Sequence, residues 1–334
     1  MKSARSVRIF TGISIATLAI SAISALAFGT VSASITKIDA FAGIDKRPDK
    51  KSSAINYLLV GSDTREGLTK AELKELRVGS VATAAGKRSD TMLLVHISKA
   101  RDKAVLVSIP RDTFALIPAH LSKTGKTVPA VHSKINSAFN WGGAPLLIQT
   151  IEEMTQLKID HYVEVNFAGF ASVIDSLGGI EVCTKKDIDD PKSHLVLPAG
   201  VHTLNGIEAL KYVRTREFDG LGDIGRMQRQ QAFMSSVLKK ATSAGVLLNP
   251  VTMTSFINSA LAAVTTDEGL KNSDLITLAK QMKSLATSNV RTLTVPISDL
   301  NYYSNGVTAA VLWDPVLAPE LWDRLREDLS LIHI

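Results

Sequence analysis

The chain contains a single cysteine, Cys183, among its 334 residues. One thiol cannot form an intramolecular disulfide, and it cannot supply a cluster of thiolate metal ligands. The segment around it, Gly179 to Thr184, is typical of a strand, which predicts a buried structural thiol and not a nucleophile. The seven histidines show neither an HExxH motif nor paired ligand spacing, so a zinc site is not expected.

Several catalytic signatures are also absent from the sequence. There is no GxSxG nucleophile elbow, no Walker phosphate loop and no dinucleotide-binding GxGxxG motif. The pair of glycines in Gly220-Leu-Gly222 is too short to count as a dinucleotide fingerprint. These absences argue against a serine hydrolase, a nucleoside triphosphatase and a dehydrogenase.

Length and composition leave room for a substantial hydrophobic core. The chain is 45% hydrophobic and 21% charged, which suits one large domain or two small ones. Its formal net charge of +6 is compatible with nucleic acid, anionic lipid or phosphorylated substrates, and does not choose among them.

The N-terminus predicts the compartment. Lys2, Arg5 and Arg8 precede an uncharged, mostly apolar run from Ile9 to Ile35, which is long enough to cross a bilayer. Positive residues on this side place the N-terminus in the cytoplasm and the rest of the chain outside. A cleaved signal peptide is the alternative, because Val31-Ser-Ala33 resembles a cleavage site. We favour a retained anchor, since the run exceeds a usual signal core.

This topology predicts a single-pass protein of the cell membrane with an extracytoplasmic folded part. The expected segments are a cytoplasmic N-terminus (1–8), a transmembrane anchor (9–36), a linker (37–53), an extracytoplasmic catalytic domain (54–300) and a C-terminal segment of unknown role (301–334). The linker is charged and poor in large apolar groups. The body from about Ser53 onward is expected to fold alone once the anchor is removed, because the apolar run contributes no core to it.

The body alternates strand and helix patterns, which predicts a layered α/β domain. Strands are predicted at Ile55–Val60, Thr91–Ile97, Ala104–Ile109 and Val290–Ile297, and helices at Pro145–Leu157, Phe167–Leu177 and Asn205–Tyr212.

Strand direction predicts a site at one edge of the sheet. A short polar turn joins the second and third strands, which favours an antiparallel hairpin. If the first strand runs parallel to the third, then Asp63, Asp90 and Arg111 share that edge. Mg²⁺ characteristically binds one or two carboxylates together with substrate phosphate oxygens. The alternative is that each residue merely caps a strand or a turn.

A second polar cluster lies between Arg214 and Gln231, where arginines and glutamines surround a turn that leads into an amphipathic helix. The flat guanidinium fork matches phosphate oxygens, and a helix N-terminus adds free backbone N–H groups. Helical spacing places Arg226, Arg229 and Gln230 on one face. The pattern favours a phosphate or pyrophosphate clamp, and a solvated basic helix start is the alternative.

Taken in order, these motifs resemble the LytR-CpsA-Psr (LCP) family of cell-wall proteins, from about Tyr57 to Lys240. The matching segments are Gly61-Ser-Asp-Thr-Arg65, Arg88-Ser-Asp-Thr-Met92, Val107-Ser-Ile-Pro-Arg-Asp112, Lys134-Ile-Asn-Ser-Ala-Phe139, Asn166 to Val182, Leu204-Asn-Gly206, Tyr212-Val-Arg-Thr-Arg216 and Asp223 to Gln230. Any one motif is modest, but their order and spacing together are specific.

The resemblance implies a membrane-anchored phosphotransferase that moves an anionic glycopolymer from a polyprenyl-pyrophosphate carrier to peptidoglycan as a phosphodiester. It implies a three-layer α/β/α fold around a central mixed sheet, with a hydrophobic pocket for the prenyl chain. By motif, the Mg²⁺ ligands would be Asp63 and Asp90; the pyrophosphate would be held by Arg111, Arg214, Arg216, Arg226 and Gln230, with Arg65 and Arg88 as helpers.

Mechanistically, Mg²⁺ and arginine would neutralise charge on the phosphoryl oxygens, with Arg111 and Asp90 as the catalytic residues. Asp90 is the candidate for helping to deprotonate the acceptor hydroxyl. A hydrolase using water at the same site is the alternative enzyme. A membrane-tethered regulatory protein acting on nucleic acid would need a cytoplasmic domain, which the topology contradicts. The stretch between Gly67 and Lys87 is an insertion that departs from the family pattern. Two alternatives are open for it: it shapes the acceptor groove, or it has no functional role.

Overall fold

A computed structural model describes residues 35–64, 68–76, 89–122, 124–215, 222–241, 243–247, 249–271, 274 and 290–330. The predicted site residues Arg65, Arg88 and Arg216 lie outside these residues, as does all but the end of the predicted anchor. Asp90 and Arg226 have their backbones, and not their side chains, in the described part. Within the described ranges no helix combines the length and apolarity that crossing a bilayer requires. The anchor therefore stays a prediction.

A mixed sheet of seven strands lies at the centre of the described chain. It consists of β1 (Thr36–Ile38), β2 (Ile55–Ser62), β3 (Ser89–Ile97), β4 (Ala104–Ile109), β9 (His161–Val165), β14 (Val264–Asp267) and β15 (Val290–Thr294), in the spatial order β1-β14-β9-β2-β3-β4-β15. β3 is antiparallel to both β2 and β4, so β2 runs parallel to β4. The predicted hairpin and the predicted α/β class with a mixed sheet are both confirmed.

Short antiparallel pairs surround this sheet. They are β5 (Phe114–Ile117) with β8 (Val131–Lys134), β6 (His120–Leu121) with β7 (Thr127–Val128), β10 (Ile180–Thr184) with β13 (Gly200–Leu204), β11 (Ile188–Asp190) with β12 (Leu195–Leu197), and β16 (Ile297–Ser304) with β17 (Val307–Trp313). The predicted late strand, Val290–Ile297, is divided between β15 and β16 by Pro296, which has no N–H for a ladder.

The prediction that Cys183 is buried is wrong. Side chains alternate across β10, so Val182 and Thr184 face the core while Cys183 points to solvent. The local pattern identified the strand correctly but assigned this residue to the wrong face.

The described helices are α1 (Lys70–Leu76), α2 (Ile135–Thr155), α3 (Phe167–Ser176), α4 (Gly206–Arg214), α5 (Gly222–Ala241), α6 (Ala244–Leu247), α7 (Pro250–Ala262) and α8 (Leu317–Arg326). The largest difference from the prediction is in α2, which begins ten residues before Pro145. Gly143 has φ 66° and ψ −151°, which are not helical, so α2 consists of two helical parts joined at a kink. The second part begins close to the predicted start at Pro145, where a missing N–H costs no helical hydrogen bond.

Local capping explains why α3 and α4 lie close to their predicted positions. The Asn166 side chain accepts a hydrogen bond from the Gly169 N–H at the start of α3. Asn205 and Glu208 form a reciprocal capping box at the start of α4. A side chain at Gly206 would collide with the Ala171 backbone, so this glycine allows α4 to pack closely on α3.

The two faces of the central strands differ in burial. Leu58 and Leu94 are fully buried on the face covered by α2 and α8, where Leu147 and Leu321 join the same core. The other face carries half-buried apolar residues around a smaller cluster, which contains Tyr57. One helical layer is thus in place, and the second layer of the expected α/β/α arrangement stays a prediction.

The segment predicted as a linker, 37–53, packs into the fold. β1 forms the outer strand of the sheet beside β14. Ala40 is fully buried, and Phe41 and Ile44 pack against the main core. The few apolar residues of this charged segment are therefore enough to fix it to the domain.

The boundary predicted at residue 300 is also wrong, because it falls inside β16. The segment from there to α8 belongs to the same core, since Leu321, Trp322 and Leu325 are buried against the sheet. The C-terminal segment thus has a structural role, which is to cover one face of the sheet.

Candidate active site

Three strand ends meet at one edge of the central sheet. Asp63 directly follows β2, Asp90 is the second residue of β3, and Arg111 follows β4 after Pro110. Because β3 is antiparallel to its two neighbours, all three positions lie at the same edge, which we call the polar edge. The backbone arrangement required by the predicted site is therefore present, while the roles of the three residues stay predictions.

A β-bulge marks the position of Asp90. Gly61 pairs with Thr91 and Ser62 pairs with Ser89, so Asp90 is the extra residue between two pairs. A bulge locally twists a strand and re-aims the side chain beside it, and bulges are common next to active sites. Asp63 directly follows Ser62, so both acidic residues adjoin the same Ser62–Ser89 pair.

Arg111 lies in a small cluster of charges. Its Nε is 3.4 Å from Asp112 Oδ2, and Lys134 Nζ is 3.5 Å from Asp112 Oδ1. Asp112 is thus a counterion between two cations, each with part of its side chain accessible to solvent. The backbone carbonyl of Arg111 accepts from the Asn136 N–H, which fixes the start of α2 against this edge. Both Asp112 and Lys134 lie in motifs shared with the LCP family, but the spacing of those motifs did not predict a function for either residue.

Arg214 reaches the same region through an aromatic contact. Its guanidinium carbon lies 5.5 Å from the centre of the Phe167 ring, a distance typical of a cation–π contact. Phe167 comes two residues after β9, whose last residue, Val165, pairs with Gly61 near the end of β2. The structure therefore brings Arg214 to the strand end adjacent to Asp63.

Two side chains of α5 hold the C-terminal end of α4. Arg229 is buried and its Nη2 donates to the Thr215 carbonyl oxygen at 2.6 Å. Gln230 Nε2 donates to the Val213 carbonyl oxygen at 3.1 Å. The described amide contact of Gln230 is thus with the backbone of α4, and Arg229 has a structural role that helical spacing did not predict. Arg226 is on α5, and its side chain lies outside the described part.

The described part of the 67–87 insertion packs beside Arg214. Leu76 of α1 is buried with Phe167 and Leu210, and Glu75 Oε1 lies 3.0 Å from Lys211 Nζ. Thr69 caps α1, and hydrogen bonds from its hydroxyl and backbone N–H lower the pKa of the Glu72 carboxyl. This insertion element is therefore docked on α4 and not detached from it.

The donor set at the polar edge suits a hard cation. Two aspartates beside an arginine match the one or two carboxylates that Mg²⁺ takes along with substrate phosphate oxygens. Among side chains in the described part of the chain, no group of three or more His, Cys, Asp or Glu residues gathers as a metal cluster. The two-aspartate hypothesis stays a prediction, because the Asp90 side chain is not described.

The chain also enters the sheet at the polar edge. β1 is parallel to β14, which is antiparallel to β9, so β1 runs opposite to β9 and β2. Thr36 is therefore level with Val60, three residues before Asp63. The first strand after the predicted anchor starts at the end of the sheet where the acidic residues lie.

The described chain is thus an α/β domain with acidic and basic residues gathered at one sheet edge. A family model, the LytR_cpsA_psr family, matches residues 26–319. The chain belongs to this family.

Relatives and a solved structure agree with this assignment. The chain is 37% identical over 275 residues to "Probable cell wall biosynthesis protein LcpB" of Corynebacterium glutamicum, covering 82% of the chain and 62% of LcpB. It is 35% identical over 204 residues to the "Polyisoprenyl-teichoic acid--peptidoglycan teichoic acid transferase TagT" of Bacillus subtilis, covering 59% of the chain and 56% of TagT. The chain thus spans about three fifths of the length of these relatives. A structure of TagT bound to LI-WTA is similar with a TM-score of 0.59 and 26% identity, covering 89% of this chain and 98% of that one.

Proposed function

We propose that the protein is a Mg²⁺-dependent phosphotransferase that moves an anionic glycopolymer from a polyprenyl-pyrophosphate carrier to peptidoglycan. The observation that carries the proposal is the meeting of Asp63, Asp90, Arg111 and Arg214 at adjacent strand ends. The TagT relative supports the choice of reaction, since its name describes teichoic acid transfer from a polyisoprenyl carrier to peptidoglycan.

The donor pyrophosphate would lie between the two arginines. Arg111 and Arg214 approach the polar edge from β4 and from α4, and Arg226 and Gln230 follow on α5. Arg216, which lies outside the described residues, would join them. Guanidinium groups bind phosphate oxygens in a forked geometry, which orients the donor as well as attracting it. In the absence of the donor, the Asp112 carboxylate compensates the positive charge of Arg111.

Asp63 and Asp90 would hold the Mg²⁺. When bound, the ion supplies positive charge to the phosphoryl oxygens and to the leaving group. It also offsets the repulsion between two neighbouring carboxylates and the donor phosphates.

The transfer step exchanges one P–O bond for another. The acceptor hydroxyl oxygen attacks the phosphorus attached to the glycopolymer, and the bond from that phosphorus to the bridging oxygen breaks. Asp90 takes the hydroxyl proton, and the polyprenyl phosphate leaves with the bridging oxygen. Arg111 stabilises charge on the phosphoryl oxygens, where a preformed donor contributes most.

An apolar surface near the centre of the sheet suits the prenyl chain. Leu59, Val95 and Val163 remain half-buried, although they lie on central strands whose opposite face is fully buried. Apolar residues in such a position leave surface for a hydrocarbon to cover. The helix α2 does not line this surface, because its apolar residues, such as Leu147, belong to the core on the other face.

The location follows from the same proposal. A single-pass anchor over residues 9–36, with Lys2, Arg5 and Arg8 in the cytoplasm, would place the domain outside the cell membrane. Donor and acceptor would then both be membrane-proximal, and no nucleic acid is required as a partner.

A transfer assay tests the proposal. The protein is incubated with a polyprenyl-pyrophosphate donor labelled in its sugar and with soluble peptidoglycan oligosaccharides, in Mg²⁺ or in EDTA. We expect label to move to the acceptor as a phosphodiester in Mg²⁺ only. Label released as a free sugar phosphate in the presence of acceptor would identify a hydrolase instead. A donor left intact under all conditions would overturn both enzymatic hypotheses.

A further inference from the structure

A second cavity lies away from the described part of the pyrophosphate site, between the C-terminal turn of α2 and one side of α8. Its volume is about 270 Å³, and we call it the tryptophan groove. Its walls include Trp313, Pro315, Pro319, Trp322, Asp323 and Arg326. Drug-sized ligands occupy roughly 300–1,000 Å³, so the groove suits a single ring and is too small for a long hydrocarbon.

The aromatic part of the groove is rigid. The rings of Trp313 and Trp322 are 5.5 Å apart at an angle of 39°. Trp322 is almost fully buried, whereas Trp313 is only half-buried, so most of the indole surface accessible to a ligand belongs to Trp313. The Trp313 indole N–H donates to Thr113 Oγ1 at 3.1 Å, which fixes the orientation of the ring.

Two N–H donors in the walls of the groove have no acceptor. They are Trp322 Nε1 and Arg326 Nε, both shielded from solvent and both without a hydrogen-bond partner among the residues that the structure describes. Leaving a buried donor unsatisfied costs about 1–3 kcal/mol. Because solvent reaches neither atom, neither donor can bond a ligand in the groove, so the polar contacts of a ligand would come from the groove's exposed rim.

The charges around the groove argue for a neutral, hydroxyl-rich ligand. Asp323 and Arg326 form an ion pair on the rim. Asp314 is engaged at the start of α8, where its carboxylate accepts from the Val316 and Leu317 N–H groups, and these bonds lower its pKa. Carboxylate, guanidinium and the Gln156 amide together offer both donors and acceptors. A phosphate would be repelled by the acids, and a lipid would leave these groups unpaired.

We infer that the tryptophan groove is a binding site for one pyranose ring of a glycan strand. A pyranose has an apolar C–H face that packs on an indole ring, and hydroxyl groups around its edge for the charged rim. The groove connects to the polar edge through Thr113, which is two residues after Arg111 and holds Trp313. Its use to position the acceptor strand rests on the proposed transfer function, whereas sugar binding itself does not.

Tryptophan fluorescence provides a direct test, because the chain has three tryptophans and two of them line the groove. Trp141 lies elsewhere, stacked on His120 at 5.5 Å. In the Trp141→Phe protein the remaining signal comes only from the groove. We expect a saturable change in emission on titration with the soluble N-acetylglucosamine tetrasaccharide, and at least a tenfold weaker response to glycerol or to inorganic phosphate.

Matched variants distinguish a site from a structural contact. Adding Trp313→Phe to the Trp141→Phe background should weaken binding, measured by calorimetry, by roughly tenfold or more. Asp323→Asn should also weaken binding, and it changes an exposed rim residue that the fold does not need. If the tetrasaccharide fails to bind at millimolar concentration, or binds both rim and aromatic variants unchanged, the inference is overturned. Binding without any transfer activity would support the groove and count only against the proposed reaction.

Discussion

Arg47 and Glu152 form a two-point ion pair across 105 residues of sequence. Arg47 Nη2 lies 2.6 Å from Glu152 Oε1, and its Nε lies 3.0 Å from Oε2. Glu152 is buried and also accepts from the Ile159 N–H, while the guanidinium lies over the Phe41 ring at 4.2 Å. The segment before Ser53 thus supplies the cation for a carboxylate inside α2, so the body does not begin at Ser53.

Arg47→Ala should destabilise the domain by about 3 kcal/mol, because it leaves a buried carboxylate without its counterion. Denaturant unfolding of a protein starting at residue 35 measures this loss. Lys51→Ala is the matched control, since Lys51 is exposed and 3.8 Å from Glu327, and it should change stability by less than about 1 kcal/mol. Equal stability of the two variants, or full stability of a protein starting at Ser53, would contradict the structural role of this segment.

Replacing both Asp63 and Asp90 with Ala should abolish Mg²⁺ binding and the transfer reaction together. The two residues adjoin one backbone pair at the polar edge, and carboxylates there need a cation to offset their repulsion from phosphate. Calorimetric titration with Mg²⁺ is the measurement, with the exposed pair Asp189→Ala and Asp299→Ala as the control. Unchanged Mg²⁺ binding would reduce Asp63 and Asp90 to turn caps.

Arg111→Lys should lose most of the activity although the charge is kept, because lysine cannot make a forked contact with phosphate. A loss of about 2–3 kcal/mol of transition-state stabilisation corresponds to a rate reduction of roughly 30- to 150-fold. Arg101→Lys is the control, since Arg101 lies in the β3–β4 turn at the opposite edge. Kinetics within a few-fold of the wild type would show that Arg111 contributes only general electrostatics.

Affinity for pyrophosphate donors should rise with prenyl length until the apolar surface is covered. Each isoprene unit removes apolar area from water, worth about 25 cal/mol per Å². Competition binding with a series of polyprenyl pyrophosphates measures the trend, and water-soluble pyrophosphates should bind much more weakly.

Arg226→Ala should weaken binding of both short and long compounds, because the head group is common to them. Affinity that is independent of length would mean that the protein does not hold a lipid carrier.

Asp267 should make stability depend on acid pH. Burial raises the pKa of its carboxyl, but hydrogen bonds from His161 and the Tyr162 N–H outweigh it and bring the pKa below its ordinary value of 3.8. Its contribution is therefore complete above pH 3.8 and is lost as the pH falls through the folded-state pKa. Asp267→Asn should lower stability at pH 7 by about 2 kcal/mol, and the difference in Tm from the wild type should shrink toward pH 3. A constant difference would contradict this account.

Much of the sheet could be predicted because its strands are short apolar runs bounded by polar turns. The Ser98–Lys103 turn predicted the hairpin of β3 and β4. The shared edge of Asp63, Asp90 and Arg111 followed only on the assumption that β2 runs parallel to β4, which the sheet confirms. The bulge at Asp90 could not be predicted, because it depends on the register between β2 and β3 and not on local composition.

Other features depend on tertiary packing. The apolar residues of α5 have the spacing of an amphipathic helix, which places Met234 and Val237 on one stripe. Met234 is instead exposed, and Phe233 is the buried residue, packed against Tyr212 and Phe170. Val237 packs against the core as its spacing predicts, so the pattern was wrong only at Met234, because it does not distinguish this residue from the neighbouring Phe233. Likewise, no local signal connects Arg47 with Glu152 or places Arg214 over Phe167.

If the predicted membrane anchor is present, the outer strand β1 would leave almost no spacer between the anchor and the domain. A span ending at residue 36 would pass into β1 with no flexible spacer, so the domain could neither lift away nor turn freely on the bilayer. Asp63 lies three residues beyond the level of Thr36, or about 10 Å at the rise of a strand. The reacting groups would then be held at roughly head-group height. A donor anchored in lipid is already at this height and reaches the site by diffusing in the plane of the membrane. A glycan strand reaches the site only where the wall lies close to the membrane. Such a tether would favour newly made wall at the membrane surface over mature wall farther out.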